Sequence, residues 1–394
     1  MKRVVLFLIT GCFCLHASVK VCSASAHQDS KSPASQTKLE DPKDGPHVFW
    51  RSPSTVEIIT YCDGVARREI RENVTKPFAI PVGCDQALEV LVDPTPPKVP
   101  ASSYPSPSRV LAVSDLEGNY DTFVKFLKGN GVIDESGRWS WGDGHLVFNG
   151  DIVDRGEHVT ELMWLIRKLE QEAAEVGGGV HYILGNHETM VMGGDLRYIH
   201  PKYAITTPKF GTTYENLYSQ DSEIGRWWRT RNSVEKIGDT LFVHAGYSPE
   251  LNRLGFSLDQ LNGMIRAGLG PPAWPARDEL RTQPIWHMNG PLWYRGYFPQ
   301  YAPSWGGSPS TDEITQILTR HGVKRIVVGH TVVDDVQWLD TEHSLMGIDV
   351  KWSDPAEGEG LFIENGQLHR VDMSGTRRPI EDAPFLREAP TQAK

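Results

Sequence analysis

The sequence predicts an α/β fold built on mainly parallel strands, and three observations carry that reading. Five short apolar runs, at 110–113, 146–148, 182–184, 241–243 and 326–328, read as buried parallel strands. Each runs straight into polar residues: Asp115 and Glu117 after the first, Asp151 after the second, Asn186 and His187 after the third, His244 after the fourth, His330 after the fifth. Between the second and third runs, Val159, Leu162, Met163, Ile166 and Leu169 fall at helical spacing with charges opposite, and Gly177-Gly178-Gly179 ends the pattern. Strand, polar loop, helix and strand form a βαβ unit, whose ligands collect beyond the carboxyl ends of the strands.

In chain order, residues 1–26 read as a secretory signal peptide. Lys2 and Arg3 precede an apolar stretch, and Ala24-Ser25-Ala26 offers small residues for cleavage. A competing route is lipidation, since Ile9-Thr10-Gly11-Cys12 resembles a bacterial lipobox with Cys12 as acceptor. Either way export is expected, to the periplasm or the medium, or as a membrane-anchored lipoprotein. Residues 27–45 are polar and read as a flexible linker. Residues 46–94 read as a small all-β domain, with strand-like runs at 56–61 and 88–92 and a turn at Asp63-Gly64. Packing on its neighbour is its default role. Of five cysteines only Cys62 and Cys84 follow the leader, so they are expected to form one disulfide, worth about 3 kcal/mol by loop closure.

Residues 95–108 form a Pro-rich linker, and the main domain spans 109–376. Within it, 251–309 is rich in Gly, Pro and Trp and reads as loops and short helices capping the site. Terminal strands follow at 345–348, 360–363 and 368–371, the last two joined by a hairpin at Asn365-Gly366. Residues 377–394 read as a mobile tail. No run after the leader is apolar enough to cross a membrane. The 394 residues are 39% hydrophobic and 23% charged, as in a globular protein, and the net charge of −10 argues against a nucleic-acid partner.

Asp, Asp, Asn, His and His at five strand ends are suited to two divalent ions attacking a phosphoester. Two cations bridged by a carboxylate neutralise the ester, acidify a bridging water and align it opposite the leaving group. The bridge has to be a carboxylate, because one imidazole nitrogen cannot bind two ions. Asp151 is the candidate bridge; Asp115 and Glu117 complete the first ion, and Asn186, His244 and His330 the second. Mixed nitrogen and oxygen donors suit manganese, iron, zinc or magnesium.

Gly150-Asp151-Ile152-Val153-Asp154-Arg155-Gly156 and Gly185-Asn186-His187-Glu188 resemble the signature motifs of the calcineurin-like metallophosphatases, of the phosphoprotein phosphatase (PPP) type. Gly225-Arg226-Trp227-Trp228-Arg229, the run 236–244 and Gly290-Pro291-Leu292-Trp293-Tyr294-Arg295-Gly296 resemble the Shewanella-like branch. The resemblance spans the main domain and none of the β domain. It implies an α/β/β/α sandwich, with the small β domain in front. It also implies that Arg155 and Arg295 clamp the phosphate, that His187 is the general acid, and that Asp154 keeps its imidazole charged.

Two positions depart from the family: Glu117 stands where it has His, and Ala245 where it usually has Gly. The implied activity is hydrolysis of phosphomonoesters by a metal-bridging hydroxide, on phosphoproteins carrying Ser/Thr or Tyr phosphate. The alternatives on the same residues are a small-molecule phosphatase or a nucleotide pyrophosphohydrolase. A phosphate-binding module with decayed chemistry is a third, and Glu117 is the only residue in its favour. Glu188 reads as supporting the metal loop rather than binding metal, Trp227-Trp228 as core packing, and His181, His200, His287 and His343 have no ligand-like setting.

Overall fold

The computed structural model describes residues 42–85, 88–270, 283–354 and 356–387. The leader, the Cys12 lipobox and nearly all of the polar linker lie outside the described residues, as does part of the capping segment. Five strands form first. β1 (Asp44–Ser52), β2 (Thr55–Cys62) and β3 (Val65–Arg71) make an antiparallel sheet in that order, and β4 (Phe78–Val82) pairs antiparallel with β5 (Leu88–Val92). Asp63-Gly64 joins β2 to β3 with both residues left-handed, φ 54° and 75°, as a tight two-residue hairpin needs. The expected Cys62–Cys84 disulfide is present and ties the end of β2 to the loop between β4 and β5.

The remaining strands are β6 (Ser103–Tyr104), β7 (Arg109–Val113), β8 (His145–Asn149), β9 (Gly179–Ile183), β10 (Val234–Ile237), β11 (Thr240–Val243), β12 (Arg325–Val328), β13 (Gln337–Trp338), β14 (Leu345–Gly347), β15 (Gly360–Glu364), β16 (Gln367–Val371), β17 (Arg377–Arg378) and β18 (Glu381–Asp382). One sheet runs β17-β16-β15-β7-β8-β9, the other β18-β13-β14-β12-β11-β10-β6. The five apolar runs of the sequence are β7, β8 and β9, mutually parallel in the first sheet, and β11 and β12, parallel in the second.

The sheets face each other. At the end of β8 the Asn149 amide donates to the carbonyls of Val243 (3.1 Å), the last residue of β11, and Val327 (3.4 Å) in β12. At the outer edge His181 of β9 and Glu235 of β10 hydrogen-bond at 2.7 Å. Helices α1 (Tyr120–Gly129) and α2 (Val159–Glu175) pack on the first sheet, Phe123 of α1 meeting Phe148 of β8 at 5.5 Å between rings. Asn262, on the helix Leu258–Ala267, accepts from the amides of Ser233 (2.8 Å) and Val234 (3.1 Å) beside the second sheet. This is the α/β/β/α order expected. α2 carries the five apolar residues on its buried face. Three shorter helices follow: α3 (Asn186–Met192), α4 (Pro201–Lys209) and α5 (Glu223–Trp228), and Trp227 and Trp228 of α5 are buried core.

The N-terminal strands are bolted to this sandwich. The buried Asp44 carboxylate accepts from Thr160 on α2 (2.7 Å) and Thr206 on α4 (2.9 Å), and sits 3.2 Å from His47. The Trp164 indole donates to the Pro46 carbonyl at 2.8 Å. The described residues accordingly share one core and form one compact unit. Three boundaries differ from the sequence reading. Asp44 and Gly45, placed in the linker, begin β1. The Pro-rich segment contributes β6, whose pairing with β10 gives the second sheet a short edge strand. The tail is ordered through Arg387: β17 pairs with β16, β18 with β13, and a short helix, Pro384–Arg387, follows. These edge strands are two residues long, too short to register as a hydrophobic period.

Candidate metal centre

The loops after β7, β8, β9, β11 and β12 converge at one end of the sandwich, and the backbone there is bent in an unusual way. Asp115, Glu117, Asp151, Asp154, Arg155 and His330 all have positive φ, between 45° and 73°. A non-glycine residue held there costs about 1–3 kcal/mol, so the surrounding packing has to impose it. The tightness shows at two glycines. A Cβ on Gly150 (φ 91°) would run into the His244 ring, and one on Gly185 into the Asp151 carboxylate. Glu188 fixes the same turns, accepting from the amides of Gly185 (2.7 Å), Ile152 (2.9 Å) and Asp151 (3.2 Å) and from the Tyr182 hydroxyl (2.9 Å). It supports the loop, as the sequence suggested.

Asp151, His244 and His330 are buried, and each brings one donor atom to within 4.8 Å of the others. His244 Nδ1 bonds the Asn149 carbonyl (2.8 Å), which turns Nε2 toward Asp151 Oδ2 (3.1 Å) and Asn186 Oδ1 (2.9 Å). Asn186 points its nitrogen at the Met190 sulfur (3.6 Å), leaving its oxygen on the imidazole. A carboxylate oxygen, an amide oxygen and the lone pair of an imidazole nitrogen are all acceptors. A proton on His244 or a cation among them satisfies the group. Burial opposes that proton, but the charge and hydrogen bond of Asp151, the charge of Asp115 and the Asn149 carbonyl together outweigh it and lift the His244 pKa to about 10. His330 goes the other way: burial, with Arg295 and His244 nearby, holds it well below its ordinary value, as a neutral donor. This set fits a divalent ion.

Asp115 lies beside the set. Its carboxylate accepts from the Ser114 hydroxyl and from the His330 amide (3.0 Å). Burial, reinforced by Asp151 and opposed by His244, raises its pKa to about 6. Glu117, expected to join Asp115 on the first ion, instead forms an ion pair with Arg155. Asp349, just past β14, is buried here too, and burial and then Asp115 push its carboxyl well above the usual value. The sequence reading passed over it, although 345–348 is one more apolar run ending on a carboxylate.

The other candidates surround this core. His187, at the start of α3, bonds Asp154 through Nδ1 (2.7 Å), while Nε2 faces Asp151 Oδ2 at 3.7 Å. Burial would lower the His187 pKa; Asp151 and Asp154 outweigh it and the net shift is upward. The imidazolium is therefore favoured, as an acid needs. Burial raises the Asp154 carboxyl against the pull of His187. Arg155 and Arg295 rim the opening. The Arg155 guanidinium lies 5.4 Å from the Tyr198 ring centre, and Arg295 donates to the Thr331 hydroxyl at 3.1 Å. The structure thus brings together Asp115, Asp151, Asn186, His187, His244 and His330, with Asp154 behind His187 and both arginines at the rim.

A metal-accepting carboxylate, imidazole and amide cluster at the strand ends of an α/β/β/α sandwich defines a metallophosphoesterase, and residues 108–334 match the calcineurin-like phosphoesterase family. The chain belongs to that family and is a metal-dependent phosphoester hydrolase. Its relatives include Shewanella-like protein phosphatases. The crystal structure of a cold-active protein-tyrosine phosphatase from a psychrophilic Shewanella species is 34% identical, superposes with a TM-score of 0.77, and covers 85% of this chain and 98% of its own. Shewanella-like protein phosphatase 2 of Arabidopsis thaliana is 25% identical over 275 residues, 59% of this chain and 68% of that one. A symmetrical bis(5'-nucleosyl)-tetraphosphatase of Methylococcus capsulatus is 30% identical over 143 residues, 36% of this chain and 45% of the other.

Proposed function

We propose that the protein is an exported protein phosphatase that uses two divalent ions to hydrolyse phosphomonoesters. The observation that supports the metal chemistry is the convergence of Asp151 Oδ2 at 3.1 Å and Asn186 Oδ1 at 2.9 Å on His244 Nε2. Bound there and beside Asp115, the ions would supply charge neutralisation and an activated water. The protein's own groups do the rest. Asp151, whose Oδ1 is steadied by the His187 amide at 2.9 Å, would be the carboxylate common to both ions. Asn186, His244 and His330 would hold one ion, and Asp115 and Glu117 the other. Arg155 and Arg295 orient the phosphate oxygens with paired N–H groups. His187 gives its proton to the departing alcohol, and Asp154 keeps the imidazole oriented and charged.

Action on proteins is supported by the phosphatase relatives, one of them matched over most of both chains. Export is supported by the leader-like sequence at 1–26 and by the Cys62–Cys84 disulfide, a bond that persists in oxidising compartments. A second reading, cleavage of dinucleoside polyphosphates, is favoured by the tetraphosphatase relative alone. Purified protein assayed on a phosphopeptide panel and on diadenosine tetraphosphate separates the two. Higher kcat/KM on the peptides is expected; turnover of the dinucleotide alone would select the second reading.

A further inference from the structure

The acid role of His187 determines where a substrate's leaving group lies. A proton donor has to stand about 3 Å from the leaving oxygen. Whatever is attached to that oxygen therefore begins within a few ångströms of the His187 ring. Tyr198 occupies that neighbourhood: its ring centre is 5.2 Å from that of His187. Its carbonyl accepts the Arg155 amide at 2.8 Å, so the residue is fixed to the loop that carries the candidate phosphate clamp. The guanidinium carbons of Arg155 and Arg197 each lie 5.4 Å from its ring centre, and Arg197 is itself held by Asp195 at 2.8 and 2.9 Å.

Tyr198 is nevertheless 40% exposed, whereas Tyr203, Tyr214 and Tyr218 further along the same stretch are at most 4% exposed. Those three are core. Tyr198 is an anchored aromatic surface at the mouth of the site.

We propose that Tyr198 is a specificity-determining residue that receives the aromatic ring of the leaving group, which selects aryl phosphomonoesters and, on protein substrates, phosphotyrosine. The protein-substrate part rests on the protein-phosphatase reading above. In phosphotyrosine the leaving oxygen is bonded directly to a ring, which places that ring at stacking or edge distance from Tyr198. In phosphoserine the same oxygen carries a methylene and then main chain, with no face to offer. An aromatic pair of this kind contributes roughly a three- to tenfold change in binding.

The experiment compares wild type, Tyr198→Ala and Tyr198→Phe on two matched substrate pairs. The pairs are phenyl phosphate against glycerol 2-phosphate, and one peptide carrying phosphotyrosine against the same peptide carrying phosphoserine. Inhibition by inorganic phosphate is measured alongside, as a readout of Arg155 and the metal centre. For Tyr198→Ala, KM is expected to rise about three- to tenfold on the aryl member of each pair and less than about twofold on the alkyl member, with phosphate inhibition unchanged and Tyr198→Phe close to wild type. Equal losses on aryl and alkyl substrates would overturn the proposal, and so would a loss matched by weaker phosphate inhibition, since Tyr198 would then only hold Arg155 in place. A selective loss on phenyl phosphate, with neither peptide hydrolysed by wild type, upholds the ring contact and removes the protein-phosphatase reading instead.

Discussion

On one side of Asp151, His244 and His330 follow strands of the second sheet and lie with Asp151 within 4.8 Å of one another, and Asn186 at the start of α3 reaches His244 at 2.9 Å. On the other, Asp115 is also buried and, like Asp151 and His330, has positive φ, but Glu117 two residues later pairs with Arg155. The first half is a candidate ligand set whose atoms the fold already holds close together. The second includes a carboxylate that is paired with Arg155. If Glu117 serves a metal, it shares its carboxylate between that ion and Arg155. A histidine at 117 would leave Arg155 without that carboxylate.

Substitutions in the two halves should therefore differ in severity. Asp151→Asn strikes the carboxylate common to both, and hydrolysis of an aryl phosphate is expected to fall by well over the roughly 100-fold seen when an outer partner of a metal site is removed. His187→Asn should cost about 10²–10⁴-fold on an alkyl phosphoester and less on an aryl one, whose leaving group needs less protonation. Metal content should stay unchanged; an undiminished rate on the alkyl ester would remove His187 from the acid role. Glu117→Ala should lower bound metal by roughly one ion per chain. Equal metal content in variant and wild type, under identical loading, would mean that Glu117 serves Arg155 alone. Glu117→His should keep both ions and move the pH optimum downward, because a neutral donor leaves the activated water more acidic.

The smallest effect lies far from the metals. Burial would raise the Asp44 carboxyl, but His47, Lys202 and Thr160 outweigh it and hold its pKa at about 2, below the 3.8 of an unperturbed group. A depressed carboxylate pKa contributes stability that is present above the unfolded value and lost as pH falls through the folded one. Asp44→Asn should thus lower stability by about 1–3 kcal/mol at neutral pH. Denaturant titrations should show the gap to wild type closing between about pH 4 and pH 2. A gap that does not narrow over that range would mean the charge of Asp44 is not what fastens β1 to α2 and α4.

The same contrast explains what the sequence made legible. Residues at the strand ends announce themselves locally, because each buried strand is an apolar run and each candidate ligand lies in the polar segment that follows it. Asp115, Asp151, Asn186, His244 and His330 were found that way, and Asp349 obeys the same rule. The hairpins at Asp63-Gly64 and Asn365-Gly366 were equally plain, since both turns need left-handed residues. What stayed hidden depends on distant partners. Asp44 looks like linker until Thr160 and Thr206 reach it, 116 and 162 residues away. The pairing of Glu117 with Arg155 and the placing of Tyr198 beside His187 are likewise tertiary events with no periodic trace.

The central claim, that catalysis runs through ions held at Asp151, is tested most directly by chelation. Mature protein is stripped of metal, assayed on an aryl phosphate, and then titrated with manganese beside the Asp151→Asn variant. Activity is expected to vanish on stripping, to return with added metal in wild type, and to stay absent in the variant. Full activity after exhaustive chelation, or equal recovery by the variant, would contradict the account.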